Sequence, residues 1–331
     1  MADIRIEKDS KLIKVLADQA SYKSVDSASS DEADAIIREM AEDMTPNNRH
    51  MLAQTVAYTI NELQQHELDF LNQVADRKTI GYGDKAAFNV KTQGVKAFVQ
   101  AKGSTTPRSF VAGKQILVNT EEVSARPAIN LIDIRAGRVK MADLIREANR
   151  EMTNVKLGKV EQVLHAAIAN FQTPFYGAGT GVSKAVLDKQ INYFRRLGPV
   201  NIIGDIAAVS RMSELTGMQM NSTSTQRSGN MIDEFNANGF IGRYNGCNVI
   251  AMTNAYRDGE TSPILKDSWL YIVPGNLSPD MRNLKLVEEG GVNAFESQDI
   301  NDMVYEIRLD QWFGAAFVTG KIPTSGAYKI N

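Results

Sequence analysis

FNVKTQGVKAFVQAKGSTTPRSFVAGKQILVNT, from Phe88 to Thr120, governs how the rest of the chain is read. It has the pattern of two long strands around a polar bend that contains a proline. It is also basic: six residues from Lys85 to Lys114 are positive, and no acidic residue occurs before Glu121. A strand of about fifteen residues at about 3.3 Å each reaches roughly 50 Å, whereas ordinary strands run about five or six residues. A hairpin this long, with few large apolar side chains, buries too little surface to stand alone in water. The lysines at 91, 96, 102 and 114 interrupt apolar alternation on both faces, so the chain's own domain is a poor support. A neighbouring subunit, held by backbone pairing and charge, is the expected one. On the first strand Phe88 and Val90 are even-numbered while Val95, Ala97, Val99 and Ala101 are odd, with Gly94 between them. That change of parity predicts a bulge or sharp twist at Gly94.

The opposite charge lies upstream. Asp26, Asp31, Glu32, Asp34, Glu39, Glu42 and Asp43 face one base, Arg38. Residues 1–45 read as helical and loosely packed, a helix starting with Ser30 or Asp31 as N-cap, the plain alternative being a solvated tail. A basic projecting arm and an acidic N-terminal segment suit head-to-tail contacts, which close into rings or continue into larger assemblies. The candidate contact residues are therefore Lys91, Lys96, Lys102, Arg108 and Lys114 on the arm, and Asp31, Glu32, Asp34, Glu39, Glu42 and Asp43 on the acidic segment.

With 331 residues, 43% of them hydrophobic, the chain is large enough for one big domain or several small ones. A net charge of −2 gives no global drive toward nucleic acid or anionic membrane. The single cysteine, Cys247, excludes an intramolecular disulfide and a cysteine metal cluster and suits a reducing cytosol. No basic-then-apolar leader opens the sequence and no run of eighteen apolar residues follows, so neither export nor membrane insertion is expected.

Further along, a helix is predicted from about Asn48 to Ala75 on the recurrence of Leu52, Val56, Ile60, Leu63, Leu68, Leu71 and Val74, after which IGYGDK leads into the hairpin. INLIDIRAG reads as a short buried strand or turn. A second helical stripe, from Met141 through Ile145, Met152, Val160 and Ile168, predicts a helix over about 139–171, roughly 50 Å long, with Gly158 a candidate kink. The remainder reads as α+β. SKAVLDKQINYFRRLG is a helix with Ser183 near its N-cap, VNIIG a strand, and Asp205 the cap of a helix reaching Leu215. Asn245-Gly246 joins two strands in a tight hairpin, and WLYIVPG, VNAFESQ, MVYEIRLDQ and GAAFVTG supply further strands.

Catalytic chemistry finds no support. His50, His66 and His165 lack metal-ligand spacing, and Cys247 begins an apolar strand after a tight turn, where packing explains it. GAGTG, from Gly177 to Gly181, precedes a helix but follows no hydrophobic strand and lacks the phosphate-loop lysine, so it reads as a flexible connector. No cofactor, metal or catalytic residue is assigned.

The order of elements resembles the major capsid protein of tailed bacteriophages, the Hong Kong ninety-seven fold. The resemblance runs from about residue 45 to 331. It rests on RPAINLIDIRAGRVKMADLIREANREM entering the long helix, VNIIGDIAAVSRMSEL, GFIGRYNGCNVIAMTNAY and MVYEIRLDQWFGAAFVTGK. It implies an α+β fold with an N-terminal arm (1–47), a helix leading to the hairpin (48–80) and an extended hairpin or E-loop (81–127). A peripheral domain with a spine helix (128–175 and 284–321), an axial α/β domain (176–283) and a C-terminal tail (322–331) complete it. It also implies a structural role as hexamers and pentamers of an icosahedral virion shell around double-stranded DNA, contacted non-specifically and assembled in the bacterial cytoplasm. Portal, decoration and scaffolding proteins would be partners. With fewer than fifty residues before the first long helix, the scaffold is expected to be a separate protein. Some relatives join a hairpin lysine to a neighbour's asparagine; Lys91, Lys96 and Lys102 are candidates, and nothing singles out the asparagine. An encapsulin-like nanocompartment shell, a tail-tube subunit and a phosphate-binding enzyme using residues 177–181 are the rival readings.

Overall fold

The computed structural model describes residues 11–67, 71–93, 108–110, 112–215, 236–252, 254, 256, 261–275, 277–299, 304–320 and 323–331. Three helices come first: α1 (Lys11–Ala20), α2 (Ser27–Glu42) and α3 (Pro46–Glu67). The N-terminal segment is not loosely packed. Ile13, Leu16, Ala17 and Ala20 form one apolar stripe, Ala33, Ile37, Met40 and Ala41 another, and both are buried against α3 and its neighbours. The acidic count concealed these stripes because the acids occupy the opposite faces. The helix α2 starts after Asp26, earlier than Ser30 or Asp31. On α3, Thr55 and Thr59 are as buried as Leu52, Val56 and Ile60, and each hydroxyl donates to the carbonyl four residues back. This helix is therefore enclosed on more than one face.

The predicted helix to Ala75 ends early. A short α4 (Leu71–Val74) leads straight into β1 (Ala75–Ile80), a strand whose polar sequence, ADRKTI, gave no alternation to read. Next come β2 (Ala86–Gln93) and β3 (Ala112–Val118), antiparallel from Ala86↔Val118 to Gln93↔Ala112, with a register shift between Lys91 and Gln93. The bulge expected at Gly94 falls outside the described residues. After β4 (Glu121–Ala125), β5 (Ala128–Asn130) and α5 (Leu131–Arg135), where the Asn130 side chain accepts from the Ile132 N–H, comes the spine helix α6 (Met141–Ile168). Its 28 residues span about 42 Å, and it passes Gly158 without a break. An added Cβ there would meet Ile264 Cγ2 at 3.4 Å, an ordinary van der Waals contact.

After the long helix come β6 (Tyr176–Gly179), α7 (Lys184–Arg195), β7 (Val200–Asp205), α8 (Ile206–Ser210), β8 (Arg243–Tyr244), β9 (Cys247–Met252) and β10 (Trp269–Pro274). The chain then returns through β11 (Leu284–Asp299) and β12 (Val304–Phe317) before closing with β13 (Gly326–Ile330). Two main sheets result. One has the order β1-β11-β12-β4 with β5 also on β12; the other runs β6-β13-β10-β7-β9-β8. All six residues of β7 and of β10 are buried, which is why β10 and the VNIIG of β7 carry no polar-apolar alternation. Asp205 caps α8 by accepting from the Ala207 N–H at 2.6 Å, and Asn245 (φ 44°) with Gly246 (φ 71°) forms the expected tight turn.

Two expectations fail here. Residues 322–331 are no tail: β13 lies between β6 and β10 and buries Tyr328 and Ile330. GAGTG is no flexible connector, since its first residues form β6, paired in parallel with β13. A side chain at Gly177 would collide with Val186, so the glycines let α7 lie close to the sheet.

Candidate functional site

Strands β2 and β3 are the root of the basic arm, and it rests on the chain's own sheet. Phe88 is fully buried with Ala86, Val118 and Val287, while Ile80 and Ala316 flank them. Residues 86, 88 and 90 alternate inward, so this short part of the arm has the apolar face that the whole lacks. Full burial of one phenylalanine contributes about 1.5–3 kcal/mol. The lysines around Phe88 are placed as carefully. Lys78 Nζ lies 4.6 Å from the ring centroid and donates to the Ala87 carbonyl at 2.6 Å; Lys285 Nζ lies 5.5 Å from the same ring. The expectation that the arm leans only on a neighbour is therefore corrected at its root.

Two ionic groups lie on opposite faces of β11 beneath the arm. On one, Lys285 Nζ meets Asp76 Oδ2 and the Pro279 carbonyl, each at 2.8 Å. On the other, Glu288 joins Arg77 at 2.6 Å and Lys156 of the spine helix at 3.8 Å, and Lys156 donates to Gln64 Oε1 at 2.7 Å. Asp76, Lys285, Glu288 and Lys156 are all buried. Sequence reasoning missed them because the partners lie about 90 to 210 positions apart; charged residues inside strand-like runs were the available signal.

Of the arm residues expected to contact a neighbour, Arg108 and Lys114 are exposed. Lys91 pairs through its backbone with Gly113, and its side chain lies outside the described residues, as do Lys96 and Lys102. On α2, Asp31, Glu39, Glu42 and Asp43 are exposed. Glu32 and Asp34 are engaged within the chain, by Lys11 at 3.1 Å and Lys140 at 3.0 Å. The structure does not bring the acids and the arm together: α2 packs on α1, α3 and α5, while β3 packs on β11 and β12.

The remaining titratable groups are structural. Glu161 on the spine helix accepts from the Lys266 N–H at 2.8 Å and the Tyr271 hydroxyl at 3.3 Å, and burial pushes its carboxyl up. His165, one turn on, lies edge-to-face on Trp269 at 4.6 Å, and burial, then Lys266, pushes its imidazole down. His50 lies beside Gln54 and 3.7 Å from Glu296; the side chain of His66 lies outside the described residues. Burial raises the Cys247 thiol. Among the described residues no group of three or more His, Cys, Asp or Glu side chains could hold a metal ion, and no helix is long and apolar enough to cross a membrane.

A chain with a 28-residue helix, a β2–β3 hairpin rooted on a long-stranded sheet and a separate six-stranded sheet has the architecture of a viral shell subunit. Residues 6–325 match the family described as "SPbeta prophage-derived putative capsid protein YonB", and the chain belongs to that family. No curated protein matches it significantly. Among solved structures, the capsid of a native GTA particle is 10% identical, with 82% of this chain and 90% of that chain covered and a TM-score of 0.51. Chains from Mycobacterium phage Bobi (11% identity, 79% and 89% covered, TM-score 0.50) and Microbacterium phage Oxtober96 (12% identity, 77% and 90% covered, TM-score 0.50) are similar in the same way. The fold is the α+β fold of phage major capsid proteins, as the order of elements led one to expect. The protein is a capsid shell subunit.

Proposed function

We propose that this subunit builds the icosahedral head of a tailed bacteriophage around double-stranded DNA, as hexamers and pentamers assembled in the bacterial cytoplasm. In this reading residues 81–127 form the arm, 128–175 with 284–321 the peripheral domain, and 176–283 the axial domain, joined by β13. One observation carries it: the hairpin anchored at its root by Phe88 bears exposed Arg108 and Lys114, while α2 and its C-cap present exposed Asp31, Glu39, Glu42 and Asp43. A basic projection and a distant acidic face on one chain suit contact between copies. Lys91, Lys96 and Lys102 extend the basic run. A net charge of −2 fits a wall that tolerates DNA without gripping it, so DNA contact is non-specific. Portal, scaffolding and decoration proteins are the expected partners.

The test is negative-stain microscopy with light scattering on the chain expressed alone and with its neighbouring genes, followed by nuclease digestion of any particles. Closed polyhedral shells protecting double-stranded DNA support the reading. A discrete monomer or dimer in both cases overturns it, and shells filled with protein in place of nucleic acid identify a nanocompartment.

A further inference from the structure

The strand β11 carries an irregularity between Glu289 and Asn293, where its register against β12 shifts. Glu289, the last residue in register before the shift, lies on the same face of β11 as Lys285 and Val287, the face on which the arm rests. The two carboxylate oxygens divide their work. Oε1 accepts from the Gly83 N–H at 2.7 Å, on the segment entering the arm. Oε2 accepts from the Thr120 hydroxyl at 2.7 Å, on the segment leaving it. One side chain of the peripheral sheet thus holds both legs of the arm. These two donors, the backbone one foremost, keep the carboxyl below its ordinary range.

The surroundings are shaped to the same end. Tyr82, on the entering leg, lies over Gly290 (φ 68°), donates to the Gly291 carbonyl at 3.1 Å and meets the Trp312 ring edge-to-face at 5.4 Å. A Cβ at Gly290 would collide with the Tyr82 ring. On the leaving leg, the Asn119 carbonyl occupies the space a Cβ at Gly314 would need. The bulge is itself tied down from below: Asn61 of α3 accepts from the Val292 N–H at 2.9 Å. Each leg therefore has a glycine seat and an oxygen of Glu289.

We infer that Glu289 is the positioning residue of the arm, a two-legged clamp that fixes the direction in which β2 and β3 leave the sheet of β11 and β12. The apolar face of Ala86, Phe88 and Val90 seats the root of β2 on the sheet, while the two ends of the hairpin meet at Glu289. Two charge-assisted hydrogen bonds on opposite legs set the direction. The consequence for assembly rests on the arm-to-neighbour reading given above: an arm already aimed loses less freedom when a second copy binds it.

The experiment separates the two. Spin labels on Arg108→Cys and Val155→Cys, both at exposed positions, report the arm-to-spine distance in the full-length unassembled subunit; Cys247 is buried and escapes labelling. The parent is expected to give a single narrow distance distribution. Glu289→Ala should lose that narrow peak, and Thr120→Val, which frees one leg with little change of shape, should broaden it less. Glu289→Gln should restore it, since the amide oxygen can accept from Gly83 while its N–H donates to the Thr120 oxygen. A narrow peak in both Glu289→Ala and Thr120→Val overturns the clamp, whatever the shells do. A broad peak with normal shell yield upholds the clamp and overturns the idea that an aimed arm favours assembly.

Discussion

Lys285 and Asp76 sit directly opposite one another on β11 and β1, and water reaches neither freely. Such a pair adds little net stability compared with a well-packed apolar pair, but losing one partner strands the other charge in a dry site. Lys285→Met should therefore cost about 3–5 kcal/mol, and adding Asp76→Leu should recover most of it. Denaturant midpoints of the single and double variants check this; a harmless single variant would mean that water enters beneath the arm. Glu161 has a pH signature. Its raised folded pKa means the native state holds the proton more tightly than the unfolded chain, so its ionisation erodes stability as pH rises above the ordinary carboxylate value of 4.5. Glu161→Gln keeps an acceptor for Lys266 and Tyr271 without the charge. Its stability advantage over the parent should grow between pH 4.5 and 7, measured by denaturant unfolding at several pH values; a constant or shrinking gap would contradict it.

At the scale of elements, β13 completes the six-stranded sheet after a long excursion of the chain through β11 and β12. It pairs antiparallel with β10 and parallel with β6, and it supplies Tyr328, whose hydroxyl donates to the Gly181 carbonyl at 2.9 Å. Truncation after Ser325 would leave two unpaired strand edges and a hole where Tyr328 and Ile330 pack. Such a chain should be insoluble, or bind a hydrophobic dye and lose the near-ultraviolet circular dichroism of native packing; a soluble, cooperatively unfolding product would show β13 to be dispensable. This strand was illegible because GAYKI is short and terminal, and its burial depends on strands far away in sequence. The spine helix was legible to within about three residues at either end because its stripe is set locally by 3.6-residue periodicity. The parity of Phe88 and Val90 was legible too, but not that their face meets Val287 some two hundred residues later. The polar strand β1 failed for the same reason: Asp76 and Arg77 are explained by Lys285 and Glu288, which no local pattern announces. In the candidate site, charge segregation was visible and exposed members of each set were identifiable by type. Glu32 and Asp34 were not separable from Asp31 and Glu39, since only the fold brings Lys11 and Lys140 to them.

For the whole molecule, the arrangement of charge is the property that a shell would use. The hairpin leaves from one sheet and α2 packs its apolar face on α1, α3 and α5 with its acids exposed, so under the proposed contact neighbouring copies would pair the two charge sets in sequence around a ring. Reversal of Lys96, Lys102 and Arg108 to glutamate should therefore block assembly while leaving a folded subunit, since the substitutions spare Phe88 and Glu289 and Arg108 is exposed. Exposed charges act through water and are screened beyond about 10 Å at 0.1 M salt, so parent assembly driven this way should also weaken as salt is raised. A reciprocal variant sharpens the test. Asp31, Glu39 and Asp43 changed together to lysine should fail alone and recover shell formation when mixed with the reversed arm. Light scattering and negative-stain microscopy of the two variants, separately and mixed, read the outcome. Normal shells from the reversed arm alone would mean that backbone pairing, and not charge, carries the arm onto its neighbour.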